Sequence, residues 1–145
     1  ELIEIIDYSL NNGYTVNWDG DTSEKGFLFA NGYAVMPHED KNQLRDKNTS
    51  SAALNVRAEI DQESRQKGYM NFTTTDDHAM HIIGMAEDST GRIWYMAKNS
   101  WGTQGTKFNG YLFVSVPYFR AKTLTVLMAR EALPDELQRK LIVIK

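Results

Sequence analysis

Cysteine is absent from all 145 residues. The chain therefore holds no disulfide, no thiolate zinc site and no thiol nucleophile of its own. It also lacks an excess of basic charge. Its 16 Lys and Arg stand against 19 Asp and Glu, mixed along the chain for a net charge of −3, so no basic stripe forms a nucleic-acid footprint. No apolar run approaches the roughly 20 residues of a membrane-spanning helix. Repeats and low-complexity tracts are missing. The opening Glu1-Leu-Ile-Glu-Ile-Ile6 has neither the basic start nor the small-residue cleavage site of a signal peptide. It begins already in a helical pattern, which reads either as a trimmed form or as the C-terminal piece of a longer protein. Hydrophobic residues make up 41% of the chain, enough for one domain with a real core.

Leu2, Ile5, Ile6 and Leu10 sit near helical spacing, and Gly13 is the expected stop. Tyr14 to Trp18 alternates like a short strand, and Asp19 to Gly26 is a polar loop. Asn31-Gly32 between Phe27-Leu-Phe29 and Tyr33-Ala-Val-Met36 signals a hairpin, though flanks this short also suit an irregular extended loop. Pro37 to Ser51 reads as a polar surface excursion. Ala52 to Lys67 reads as an outer helix that Gly68 ends. Strands are expected over Met80 to Ala86, Arg92 to Lys98, Tyr111 to Val116 and Thr123 to Arg130. The turn Asp88-Ser-Thr-Gly91 joins the first two. Trp94 and Met96 fall on one face of the second strand. Pro117 to Lys122 is a short turn or helix, and Pro134 opens a last helical segment. Hairpin-connected strands with helices at the ends make an α+β fold.

The densest chemistry lies in Asp76-Asp-His-Ala-Met-His81. His78 and His81 are three apart and converge on one face only in a helix. A strand here puts His78, Met80 and Ile82 on one face and Ala79, His81 and Ile83 on the other. A shared metal is therefore not expected. His81 reads as a hydrogen-bonded, partly buried side chain. Asp76 and Asp77 are either solvent-exposed strand-start residues or acids that line a cleft and bind a substrate amine.

A general base needs a partner that holds its imidazole in one tautomer. Antiparallel pairing across the 88–91 turn returns Asn99, at the end of the next strand, towards His78. The side-chain oxygen of Asn99 can accept the ring N–H, and Trp101 can cover that bond and keep water off it. Taken singly, Asn99 is also an ordinary turn residue and Trp101 an ordinary core aromatic. A His–Asn pair lacks a nucleophile, and its usual partner is a cysteine thiolate. Ser100 adjoins Asn99 but has no elbow-type glycines around it.

These residues resemble a family. Asp76-Asp-His-Ala-Met-His-Ile-Ile-Gly-Met-Ala-Glu-Asp88, Lys98-Asn-Ser-Trp-Gly102 and Asn109-Gly-Tyr-Leu-Phe-Val-Ser115 look like the His and Asn segments of papain-type cysteine peptidases. The 21 residues from His78 to Asn99 fit that pattern. The finer resemblance is to the bleomycin hydrolase and aminopeptidase C branch. It rests on His-Ala-Met at 78–80, Gly13-Tyr-Thr-Val-Asn-Trp18, Gly20-Asp-Thr-Ser-Glu-Lys-Gly-Phe27, Pro117 to Val126 and Glu131 to Leu137.

The resemblance implies the β-rich right-hand half of a papain-like fold. Residues 1–70 would be a lead-in, 71–130 an antiparallel β core, and 131–145 a C-terminal arm. His78 would be the base, Asn99 its orienting residue and Trp101 a shielding indole. The cysteine, with an oxyanion-hole Gln shortly before it, would lie on an N-terminal lobe outside this chain. The implied enzyme is an aminopeptidase acting on peptides with a free N-terminus. It needs no metal or organic cofactor and commonly forms a homo-oligomeric, hexameric ring. Its arm, here ending at Lys145, would block the cleft and position the substrate amine. The branch implies a cytoplasmic location, while an export signal would lie upstream of Glu1. Alone, the chain is expected to be inactive and to expose a lobe interface. The competing classes are a non-catalytic binding or assembly module and a metal-binding domain. Titration of the chain with zinc or nickel is expected to give no heat beyond dilution; stoichiometric binding would restore the metal reading.

Overall fold

The computed structural model describes residues 1–36 and 60–141. The expected excursion at 37–51, the first part of the expected 52–67 helix and Lys145 lie outside the described residues.

Among the described residues seven strands form one sheet. Helix α1 (Leu2–Asn11) leads into β1 (Val16–Gly20), then β2 (Phe27–Leu28) and β3 (Tyr33–Ala34). Helix α2 (Gln62–Met70) precedes β4 (His78–Glu87), β5 (Ile93–Lys98) and β6 (Tyr111–Ser115). Helix α3 (Val116–Lys122), β7 (Thr123–Leu127) and the short α4 (Asp135–Gln138) follow. The spatial order is β2-β3-β6-β5-β4-β1-β7. Every pairing is antiparallel except β3 with β6. The sheet thus draws β1 to β3 from residues 16–34 and β4 to β7 from residues 78–127.

The local signals explain most elements. Ile6 is the buried anchor of α1, and the chain leaves that helix through Gly13 at φ +79°. A 3-10 turn over Phe29–Asn31 and a left-handed Gly32 close the β2–β3 hairpin. Asp61 caps α2 by accepting the Ser64 backbone N–H at 2.7 Å. The helix then runs through Gly68 to Met70 rather than stopping at Gly68. Ser115 caps α3, with Pro117 in its first turn, so helix and not turn is the outcome at 116–122. Strand β7 ends at Leu127, three residues short of expectation.

The main core joins Ile6, Val16, Trp18, Met80, Ile82, Tyr95, Ala97, Leu112, Val114, Tyr118 and Phe119. Fully burying each large apolar side chain of this kind contributes about 1.5–3 kcal/mol. Trp18 lies 5.2 Å from Phe119 between ring centroids, and its indole N–H donates to Thr123 Oγ1 at 2.9 Å. Two departures from simple alternation matter. In β4, a register shift between Ile82 and Gly84 leaves Ile83 unpaired and lets both Ile82 and Met85 reach the core. In β5, Trp94 and Tyr95 are both buried, because Trp94 packs into a second cluster with Tyr33, Val35, Leu28 and Phe113. Both faces of the sheet are covered there, so a polar–apolar alternation was never going to mark that strand.

The β4–β5 turn is held by Asp88. Its carboxylate accepts from the Thr90 hydroxyl and N–H, the Arg92 N–H and guanidinium, and the Trp94 indole. The Thr90 hydroxyl is the largest influence on its ionisation, partial burial opposes it, and the other donors add to it. The net effect holds the carboxyl well below the usual carboxylate range. A folded-state pKa below the unfolded value, about 3.9, favours the fold above that pH and is lost as pH falls below it. Asp88→Ala is therefore expected to lower the melting temperature at pH 7, with the deficit narrowing from about pH 4 downward. Melts followed by circular dichroism that show the same deficit at pH 2 and pH 7 would contradict this.

No helix among the described residues is long and apolar enough to cross a membrane.

Candidate functional site

His78 is the first residue of β4 and pairs with Gly20 at the end of β1. Residue 20 has no room for a side chain. A Cβ there would meet the Lys122 carbonyl oxygen at 2.8 Å and the Trp18 indole at 2.8 Å. Asn99 follows β5 directly, and its backbone N–H donates to Gly110 O at 3.0 Å. The β4–β5 register, with His81 opposite Lys98, carries Asn99 back alongside His78.

The two side chains meet. His78 Nε2 lies 2.7 Å from Asn99 Oδ1. The same oxygen accepts the Trp101 backbone N–H at 3.4 Å, which sets the orientation of the amide. A carbonyl oxygen has no proton to give, so Nε2 carries the hydrogen and Nδ1 keeps the lone pair of the neutral ring. Asn99 is 3% exposed, and its Nδ2 finds no acceptor among the described residues.

The Trp101 indole stacks on the His78 ring, with centroids 4.5 Å apart and planes at 28°. Phe29 and Phe27 present T-shaped contacts to the same indole at 5.4 and 6.0 Å. Trp101 nonetheless remains 54% exposed. It stacks on the imidazole at the surface and is not a core aromatic.

The two acids before His78 differ. Asp77 Oδ2 accepts the backbone N–H groups of Thr22 and Ser23 at 3.1 and 2.9 Å, and Oδ1 accepts from the Thr75 hydroxyl at 2.8 Å. Partial burial raises its pKa, but the hydrogen bonds it accepts, first from the Thr75 hydroxyl and then from the Thr22 and Ser23 N–H groups, outweigh that and leave it lowered. Asp76 is exposed and lies beside Asp19. The Asp19 carboxyl is raised, by burial first and then by the charge and hydrogen bond of Asp76; the Gly20 N–H and His78 pull it partly back.

His81 lies on the other face of β4, exposed, with Nε2 2.7 Å from Thr15 Oγ1. Ser100 is exposed. Among the described residues no group of three His, Cys, Asp or Glu side chains is placed to hold a metal ion.

Four participants escaped the sequence reading. Phe27 and Phe29 were legible only as hairpin flanks. Asp19 lay in what read as a polar loop, although it belongs to β1. Lys122 is buried at the end of α3, where a cation between Ala121 and Thr123 was the only available signal.

In fold, the chain is similar to PepW from Lactobacillus rhamnosis HN001, with a TM-score of 0.65 and 19% identity. The superposition covers 95% of this chain and 28% of that one, so this chain spans under a third of its relative's length. Bromelain from Ananas comosus, solved with the E64 inhibitor, aligns at a TM-score of 0.41 and 15% identity, covering 79% of this chain and 40% of that one. No curated protein matches the chain. The Peptidase C1-like family matches residues 50–143, a span that holds His78, Asn99 and Trp101 and well over half of the 145 residues. The chain belongs to the Peptidase C1-like family.

Proposed function

We propose that this chain is the His- and Asn-bearing part of a papain-type cysteine aminopeptidase, with the nucleophilic cysteine supplied from outside the chain. The observation that carries the reading is the 2.7 Å contact of His78 Nε2 with Asn99 Oδ1 beneath the stacked Trp101. Membership of the Peptidase C1-like family supports it, as does the absence of any cysteine that could serve in its place.

The chemistry follows from the tautomer. With Nε2–H committed to Asn99, Nδ1 is the nitrogen free to face a thiol. A free cysteine is only a few per cent thiolate at neutral pH. Proton transfer to Nδ1 gives a thiolate–imidazolium pair. The thiolate attacks the peptide carbonyl carbon, and the bond to the leaving nitrogen breaks as His78 returns the proton to it. His78 then takes a proton from water, whose oxygen displaces the thiolate from the acyl carbon. Asn99 carries no charge, so it orients the imidazolium without the additional pull of a carboxylate. Asp77 is committed to its own chain, which leaves Asp76 as the acid to meet a substrate's free amine. In this reading the arm ending at Lys145 limits the cleft.

A second reading, a catalytically inactive binding or assembly module, is favoured by one observation, the cysteine-free chain. Assay with the cysteine-bearing lobe present separates the two. His78→Ala is expected to lower kcat/KM by about 10²–10⁴. Asn99→Ala is expected to lower it by about 10–10², the equivalent of a lost buried hydrogen bond. Wild-type rates in His78→Ala would eliminate the catalytic reading. The chain alone is expected to hydrolyse nothing.

Trp101 has its own expectation. Removing a stacked aromatic worth about 0.5–1.5 kcal/mol is expected to speed solvent exchange of the His78 Nε2–H by up to about tenfold in Trp101→Ala. NMR of the ring-labelled chain reads this directly, and an unchanged exchange rate would mean that the indole does not shield the bond.

A further inference from the structure

The Lys122 side chain is 6% exposed, and its Nζ is surrounded by acceptors from two separate segments. It donates to Asp21 Oδ2 at 3.3 Å, to Thr73 O at 2.7 Å, to Thr74 Oγ1 at 3.1 Å and to Glu24 Oε1. Asp21 is 1% exposed. Its Oδ2 also accepts the Thr75 N–H at 3.3 Å, and its Oδ1 accepts the N–H and hydroxyl of Ser23. The Asp21 backbone is held as well. Its N–H donates to Lys122 O at 3.0 Å, and its carbonyl accepts the Tyr118 hydroxyl at 2.8 Å. Burial keeps that phenol protonated, so it remains a donor.

These contacts converge on the two segments that set His78. Thr73 to Asp77 is the stretch that delivers the chain to His78. Asp21 to Glu24 continues directly from Gly20, the strand partner of His78. The ammonium reaches the first segment at Thr73 and Thr74, Asp21 reaches it at Thr75, and Asp77 returns the link to Thr22 and Ser23. Simple core filling does not call for a lysine here, because an apolar side chain fills space without burying charge. What the ammonium does, and a methyl group cannot, is pull two oxygen-bearing segments to one point with defined directions.

We infer that Lys122 is a positioning residue for His78. It clamps the 73–77 and 21–24 segments so that the imidazole enters β4 with its Nε2–H aimed at Asn99. The inference rests on His78 being the base proposed above. It acts at a distance: Lys122 touches neither His78 nor a reacting atom. Placement is the point, because a displacement of about 1 Å is enough to lower a catalytic rate strongly.

The test uses the 145-residue chain with labelled histidine and reads the His78 ring by NMR, with no dependence on peptidase activity. The wild type is expected to show one tautomer, protonated at Nε2, with a slowly exchanging ring proton. Lys122→Met leaves Asp21 buried without its cation and can unfold the chain. The paired variant Asp21→Asn with Lys122→Met removes both charges and keeps the volume. In whichever of these folds, as judged by near-ultraviolet circular dichroism, the inference expects ring-proton exchange at least tenfold faster and ring nitrogen shifts that move towards a tautomer average. A folded variant with a wild-type ring spectrum overturns the inference and leaves the proposed function standing. If neither variant folds, Lys122 serves folding and not the ring, and the inference falls. A wild-type ring without the Nε2–H tautomer instead overturns the proposed function itself.

Discussion

Asn99 offers the His78 ring an oxygen that can only accept, and the ring answers with Nε2–H at 2.7 Å. Everything chemically useful about the site depends on that one-sided bond. It makes Nδ1 the basic nitrogen, which gives the imidazole a direction. An exposed imidazole–amide pair in water would exchange partners freely. Here the acceptor is buried, its amide is oriented by the Trp101 backbone, and the Trp101 indole stacks on the ring with two phenylalanine edges behind it. Hydrogen bonds in such water-poor surroundings are stronger and more directional.

The sheet exists, in this view, to deliver two strand ends to one place. The β4–β5 hairpin sets the separation of His78 and Asn99, and Asp88 holds its turn. The other end of the hairpin needs support of a different kind, because His78 starts a strand and has no preceding regular structure to steady it. That support is ionic and buried. A charge network is a demanding way to hold backbone, since each ion must be desolvated and fully paired. Asp21 and Lys122 meet the condition by tying α3 to the 21–24 and 73–77 segments, with Asp77 completing the link from the outside.

The local parts of this arrangement were legible in the residues. The β4–β5 hairpin, its turn and the return of Asn99 to His78 follow from alternation, turn chemistry and antiparallel pairing. So does the separation of His81 from His78. The non-local parts were not. Whether β1 to β3 join the sheet depends on pairing partners up to about a hundred positions away, and a parallel β3–β6 contact leaves no local trace. Trp94 and Tyr95 defeat alternation because both sheet faces are covered at that point. The Ile83 bulge shifts the core-facing parity of β4 midway, which no run of apolar residues reveals. Phe27 and Phe29 became part of the site only through folding, as did Lys122. The family, by contrast, was carried by the Asp-His-Ala-Met and Asn-Ser-Trp-Gly segments, where chemistry restricts residue choice most tightly.

The central claim is that His78 serves a cysteine thiolate supplied from elsewhere. The most direct measurement is the pH dependence of thiol alkylation in the chain assembled with its cysteine-bearing lobe. A thiolate–imidazolium pair predicts a reactive thiol well below pH 8.5, the ordinary cysteine value. It also predicts that His78→Ala moves the alkylation midpoint up towards that value. A midpoint near 8.5 in both proteins, with no response to His78, would contradict the account.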